Sequence, residues 1–66
     1  MYYTYILKSN KNNKYYIGST SNLNTRFLLH NLGKVKSTKA YKPWSIYYFK
    51  KFENEKDAVL RERQIK

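Results

Sequence analysis

Four residues set the chemical question. Tyr16 sits in the stretch Lys14-Tyr15-Tyr16-Ile17-Gly18-Ser19, Arg26 and His30 follow it, and Tyr5 precedes it. Phenols, a guanidinium and an imidazole gathered in a basic chain suggest chemistry at a phosphate. Hydrolysing a phosphodiester needs an attacking water, a base, a metal or cation for the developing charge, and positioning. A tyrosine acting as base needs its pKa of about 10 lowered by positive charge or metal. A formal net charge of +10 makes that feasible. The acids are only Glu53, Glu55, Asp57 and Glu62. The first three cluster where a last helix should begin, and capping and exposure explain them. Glu62 falls mid-helix on a face expected to look toward the sheet. It is either paired with an arginine or holding a cation, since buried charges are paired or ligating. Mg²⁺ suits a site with one or two carboxylates, because water and phosphate complete its shell. Taken singly, His30 reads as a surface or capping residue, Arg26 as a solvated helix charge, and Tyr5 and Tyr16 as half-buried strand tyrosines.

The elements that must position these groups follow from periodicity. Tyr3, Tyr5 and Leu7 alternate with Thr4, Ile6 and Lys8, a period of two that predicts a strand. Asn10-Lys11-Asn12-Asn13 reads as a turn. Lys14 to Gly18 resumes the strand, so residues 2–18 form a hairpin with Tyr16 and Gly18 on one face and Tyr15 and Ile17 on the other. Gly18 is expected to let the chain turn tightly into a helix spanning Asn22–Asn31, capped from Ser19-Thr20-Ser21-Asn22 and stopped at Gly33. Lys34 to Lys42 is a basic loop, or a short helix around Ser37–Tyr41, ended by Pro43. Trp44 to Phe52 reads as a third strand, with Trp44, Ile46 and Tyr48 on one side and Tyr47 and Phe49 on the other. Asn54 then caps a helix from Glu55 to the end, with Asp57 at its third position and Ala58, Glu62 and Ile65 on one face. The fold class is α+β, order ββαβα, helices packed on a three-stranded antiparallel sheet.

The totals narrow the partners. Sixty-six residues read as one domain, 1–66, with a small core. No cysteine and one histidine exclude a disulfide framework and nearly exclude structural zinc. No apolar run suits a membrane span and no signal peptide opens the chain, so a cytoplasmic protein with no membrane partner is expected. Fourteen Lys+Arg against four Asp+Glu favour a polyanionic partner. Eight tyrosines, three phenylalanines and one tryptophan can build the core and stack on bases.

Tyr16-Ile17-Gly18 matches the second motif of the GIY-YIG nuclease superfamily, and Tyr3-Thr4-Tyr5 stands in the place of the first. Asn22 to Asn31, with its arginine and His-Asn, resembles the family helix. Gly33-Lys34, Thr38 and Pro43-Trp44 resemble the small UPF0213-type (URI-type) branch, and Ala58-Val59-Leu60-Arg61-Glu62 resembles the family's glutamate helix. The order and spacing together carry the resemblance. Tyr3 and Thr4 replace the first motif's glycine and aliphatic residue, and Ser19 stands where some relatives have lysine.

What the resemblance implies is a one-metal endonuclease acting on DNA or other structured nucleic acid, with little sequence preference and a place in repair or recombination. Glu62 would ligate Mg²⁺ (or Mn²⁺). Tyr16 would be the general base or orient the water, and Arg26 would stabilise the transition state. Tyr5 and His30 would complete the pocket, with His30 an alternative proton acceptor. Lys34, Lys36, Lys39 and Lys42 would contact the phosphate backbone without sequence readout. Tyr5, Tyr16, Arg26 and Glu62 are therefore expected to converge on one concave surface. The alternatives are a nucleic-acid-binding module whose catalytic geometry has lapsed, and a structural domain basic for solubility. A monomer or weak homodimer is expected, and the last helix leaves open a missing C-terminal tail.

Overall fold

A computed structural model describes all of residues 1–66. Strands β1 (Tyr2–Ser9) and β2 (Tyr15–Thr20) form the hairpin, helix α1 (Leu23–Asn31) follows, a 3₁₀ turn spans Lys39–Tyr41, and β3 (Trp44–Phe52) precedes helix α2 (Glu55–Ile65). The sheet is antiparallel in the order β2-β1-β3, giving the expected α+β, ββαβα arrangement. The hairpin turn uses Asn13 at φ 62°, the left-handed conformation asparagine tolerates.

Capping chemistry sets both helix starts. Asn22 Oδ1 accepts from the Thr25 amide at 3.1 Å, and Asn54 Oδ1 accepts from the Asp57 amide at 2.9 Å. Helix α1 ends in a Schellman motif at Gly33, whose φ is +78°. The Gly33 amide donates to His30 O and the Lys34 amide donates to Leu29 O, at 3.2 and 3.0 Å. Asn31 then ties the helix end to the third strand. Its Nδ2 donates to Trp44 O at 3.1 Å, and its Oδ1 accepts from the Trp44 amide at 2.5 Å.

The central strand is buried on both faces. Tyr5 and Leu7 pack with Leu23 and Trp44 on the α1 side, joined by the partly buried Tyr16, Phe27 and Ile46. On the opposite side Thr4 is fully buried and its Oγ1 donates to Ala58 O of α2 at 2.6 Å. The two helices therefore cover opposite faces of the sheet.

Two expectations about faces and turns are corrected. Gly18 does not turn the chain. β2 continues to Thr20, and Gly18 lies within it, paired with Tyr5. A Cβ at position 18 would stand 2.7 Å from Tyr5 Oη and 2.9 Å from Tyr5 Cζ, so the glycine is required by the phenol lying over it. In β3 the strict alternation is broken by a bulge. Leu7 pairs with Ile46 while Ile6 pairs with Tyr48, leaving Tyr47 as the extra residue. Trp44, Ile46 and Phe49 therefore share the α1 face with Leu7 and Tyr5, and Tyr48 joins the opposite face with Lys50 and Phe52. A period-two reading cannot see an inserted residue.

Candidate functional site

Strand β1 delivers Tyr5, its neighbour β2 delivers Tyr16, and α1 lays Arg26 and His30 over both. With no side chain at Gly18 in the way, the Tyr5 phenol reaches across β2 to the helix. Tyr5 Oη lies 3.0 Å from His30 Nε2. The rings of Tyr16 and His30 stand 5.0 Å apart at 56°, and those of Tyr5 and Tyr16 6.3 Å apart at 39°. The guanidinium of Arg26 faces the hydroxyls of Tyr5 and Tyr16.

His30 corrects its single-residue reading, being fully buried rather than a surface or capping group. Its Nδ1 lies 2.7 Å from Thr38 Oγ1, and that hydroxyl donates to Val35 O at 3.3 Å. Hydrogen accounting then assigns the tautomer. The one Thr38 hydroxyl hydrogen is spent on Val35, so Nδ1–H of His30 donates to Thr38. Nε2 is thereby an acceptor, and Tyr5 O–H donates to it. The lone pairs of Tyr5 are left toward Arg26. Burial and the nearby Arg26 cation lower the His30 pKa to about 4, which keeps the imidazole neutral at pH 7. Burial raises the Tyr5 pKa, against the opposing pull of Arg26, so Tyr5 stays a phenol. Contact with Tyr5 raises the Arg26 pKa and keeps it cationic.

Glu62 approaches from the other helix, at the edge formed by β2. Burial pushes its pKa up. The Lys66 ammonium, the Ser19 hydroxyl beside it and the Arg63 charge outweigh that, and the carboxyl is held below its usual range. Lys66 Nζ donates to Glu62 Oε2 at 2.6 Å. The mid-helix acid is therefore paired with lysine, not with the arginine expected. Ser19 belongs to β2, the strand that also carries Tyr16, so Glu62 and its Lys66 partner stand beside that strand.

A groove of about 490 Å³ lies between β3 and α2, lined by Lys50, Phe52, Asp57, Leu60, Arg61 and Gln64, and none of Tyr5, Tyr16, Arg26 or Glu62 lines it. Lys34, Lys36, Lys39 and Lys42 are all exposed around the loop behind α1. No group of three or more His, Asp or Glu side chains comes together. A divalent ion at this edge would have a single carboxylate, Glu62. The residues fit a centre of that kind, since Mg²⁺ accepts one protein carboxylate and fills its shell with water and phosphate. The carboxylate is ionised, largely shielded, and already seats a cation in the Lys66 ammonium.

Thr38, Ser19 and Lys66 are the contributors that spacing did not assign to the site. Thr38 meets His30 only because the loop after α1 folds back beneath the helix. Ser19 and Lys66 meet Glu62 only because α2 crosses to the β2 edge.

A family model of the GIY-YIG catalytic domain matches residues 1–66. Among curated relatives, a UPF0213 protein of Clostridium perfringens is 43% identical over 67 residues, covering 100% of this chain and 71% of the relative. A UPF0213 protein of Staphylococcus haemolyticus is 39% identical over 66 residues, covering 98% and 79%. One of Oceanobacillus iheyensis is 38% identical, covering 98% and 76%. No solved structure matches the chain. No helix is long and apolar enough to cross a membrane.

Proposed function

This chain belongs to the GIY-YIG catalytic-domain family, and from that premise we propose that it is a divalent-metal-dependent endonuclease. It hydrolyses phosphodiester bonds of DNA in the cytoplasm, with little sequence preference, in the service of repair or recombination. What supports this reading is that Arg26 lies against Tyr5 and Tyr16, and that the ionised Glu62 stands beside Ser19 on the strand that carries Tyr16.

The roles follow from the geometry. Arg26 is a fixed cation and stabilises the charge that develops on the phosphoryl oxygens. Tyr16 faces Arg26 but makes no bond to His30, so its oxygen is free to orient the attacking water, or, as a phenolate that has given its own proton to solvent, to take the water's proton. Tyr5 and His30 position Arg26. The chain from Val35 O through Thr38, His30 and Tyr5 points the phenol's lone pairs at the guanidinium. Here His30 serves as an acceptor for Tyr5, because Nε2 is occupied and its ring is sealed from water. Glu62, released from Lys66, would hold Mg²⁺ or Mn²⁺, and the ion would supply Lewis-acid charge neutralisation at the scissile phosphate. The lysines at 34, 36, 39 and 42 hold the backbone of the nucleic acid.

The test is nicking of supercoiled plasmid with Mg²⁺ and with EDTA, for wild type, Tyr16→Phe, Arg26→Gln and Glu62→Ala. Arg26→Gln is expected to lower the rate by about 10²–10³-fold, the loss typical of one charge-stabilising donor. The other two variants should fall to the EDTA level. Wild type cutting no faster than Glu62→Ala ends the enzyme reading. The second reading, a binding module with lapsed chemistry, rests on the Lys66–Glu62 pair, which already fills the carboxylate. It predicts salt-sensitive DNA binding in all four proteins and nicking in none.

A further inference from the structure

The tyrosines are distributed unevenly, and so is the charge. Residues 1–52 contain ten Lys+Arg and no Asp or Glu, while residues 53–66 contain four of each. All of the net charge therefore belongs to the sheet, α1 and the loops, and none to α2 and its approach.

Helix α2 covers only part of its side of the sheet. It sits over Thr4 and reaches Ser19, which pair with one another near one end of the strands. Toward the hairpin turn the same face lies open, and its large side chains are aromatic. Tyr15 is 51% exposed, Tyr47 62% and Tyr48 38%. The rings of Tyr15 and Tyr47 meet edge to face, 5.3 Å between centroids at 73°. Tyr15 is on β2 and Tyr47 on β3, so Tyr47 leans across the central strand to make this contact. The bulge adds the third ring. Alternation from Ile46 already sends Tyr47 to the open face and would return Tyr48 to the α1 side; with the extra residue Tyr48 stays on the open face beside Tyr47. The Lys8 ammonium rises between the outer strands, 6.0 Å from the Tyr15 ring centroid. Lys50 and Phe52 carry the same face on into the groove beside α2, with Arg61 on its far wall.

Exposed aliphatic side chains would suit a protein partner or a second copy. Tyrosines tolerate water at the hydroxyl and offer a flat ring to another flat ring. Set among lysines with no acid in the surrounding segment, such rings match unstacked bases on a phosphate backbone. We propose that the open half of this face, Tyr15, Tyr47 and Tyr48 with Lys8, binds single-stranded nucleic acid by base stacking. It is separate from the Tyr5–Tyr16 edge and from the lysines of residues 34–42, and does not depend on cleavage.

The experiment measures anisotropy of a fluorescent oligothymidylate and of a matched duplex, without added metal, for wild type and single variants. Tyr47→Ala and Tyr48→Ala should each weaken oligothymidylate binding by roughly 5- to 100-fold, the range of one lost base–aromatic stack. Duplex binding should hold, because paired bases offer no free face. Tyr47→Phe should restore most of the loss, which a hydroxyl contact would not. Lys8→Gln should reduce the slope of log affinity against log salt by about 0.7, one phosphate contact on a single strand. The rings are exposed and their loss leaves the buried core intact, and circular dichroism of each variant checks this. Alanine variants that bind the oligonucleotide as wild type does overturn the proposal. A dimer by sedimentation that Tyr47→Ala dissociates, with oligonucleotide affinity unchanged, also overturns it and assigns the face to a second copy.

Discussion

Protonating His30 should loosen the whole protein. It is the chain's only histidine, so a single imidazole signal reports it. The unfolded ring takes a proton near pH 6.5, whereas the folded ring takes one only near about 4. Between those values the unfolded chain binds more protons. Stability therefore falls as pH drops from about 6.5 to about 4, levels off below that, and is unaffected by this group above 6.5. The gap converts at about 1.4 kcal/mol per pH unit to roughly 3 kcal/mol. A chain of this length has on the order of 3–10 kcal/mol to lose. The corresponding drop in Tm is on the order of 10–25 °C. The cause is structural: a charged ring would have two donors, Nε2 would no longer accept from Tyr5, and a second cation would face Arg26 in a dry site. Two measurements check this. The NMR titration of the His30 ring should show no midpoint near 6.5. Urea melts of wild type and His30→Gln between pH 7 and 4 should diverge in slope, the variant losing only what the carboxylates lose. A ring titrating near 6.5, or parallel pH profiles for the two proteins, refutes the buried neutral relay.

Gly18→Ala should cost about 1–3 kcal/mol by overpacking, because the new Cβ meets the Tyr5 phenol at 2.7 Å; urea denaturation reads it, and a variant as stable as wild type contradicts the contact. Asn31→Ala should cost about 2–3 kcal/mol in the same assay, since it removes both bonds to the Trp44 backbone at once. Lys66→Gln should raise the affinity of Glu62 for Mg²⁺ or Mn²⁺, read by calorimetry with the metal alone, because the carboxylate loses its competing cation. An unchanged metal titration would mean that Lys66 does not compete for the site.

Element order was legible because local chemistry announced it. Asn22, Gly33 and Asn54 sit where caps and a left-handed terminus must be, and the alternation of β1 survives intact because no residue is inserted in it. The bulge in β3 was not legible. Its cause lies in pairing with the neighbouring strand, and the run Tyr47-Tyr48-Phe49 carries the same residue types in either register. The reason for Gly18 was also hidden, because the atom it makes room for belongs to a residue on the partner strand.

The residue types at the candidate site were readable by themselves. Tyr5, Tyr16, Arg26, His30 and Glu62 are the groups phosphate chemistry would choose, and the +10 charge directs them to a polyanion. Their states were decided by tertiary structure. Burial turned His30 from a surface candidate into a neutral relay, through a hydroxyl from the following loop. The crossing of α2 to the β2 edge chose Lys66 and Ser19 as the company of Glu62. Periodicity reports which side of its own element a residue occupies. Protonation, tautomer and pairing depend on which other element arrives there, and only packing of the two helices on opposite faces of the sheet settles that.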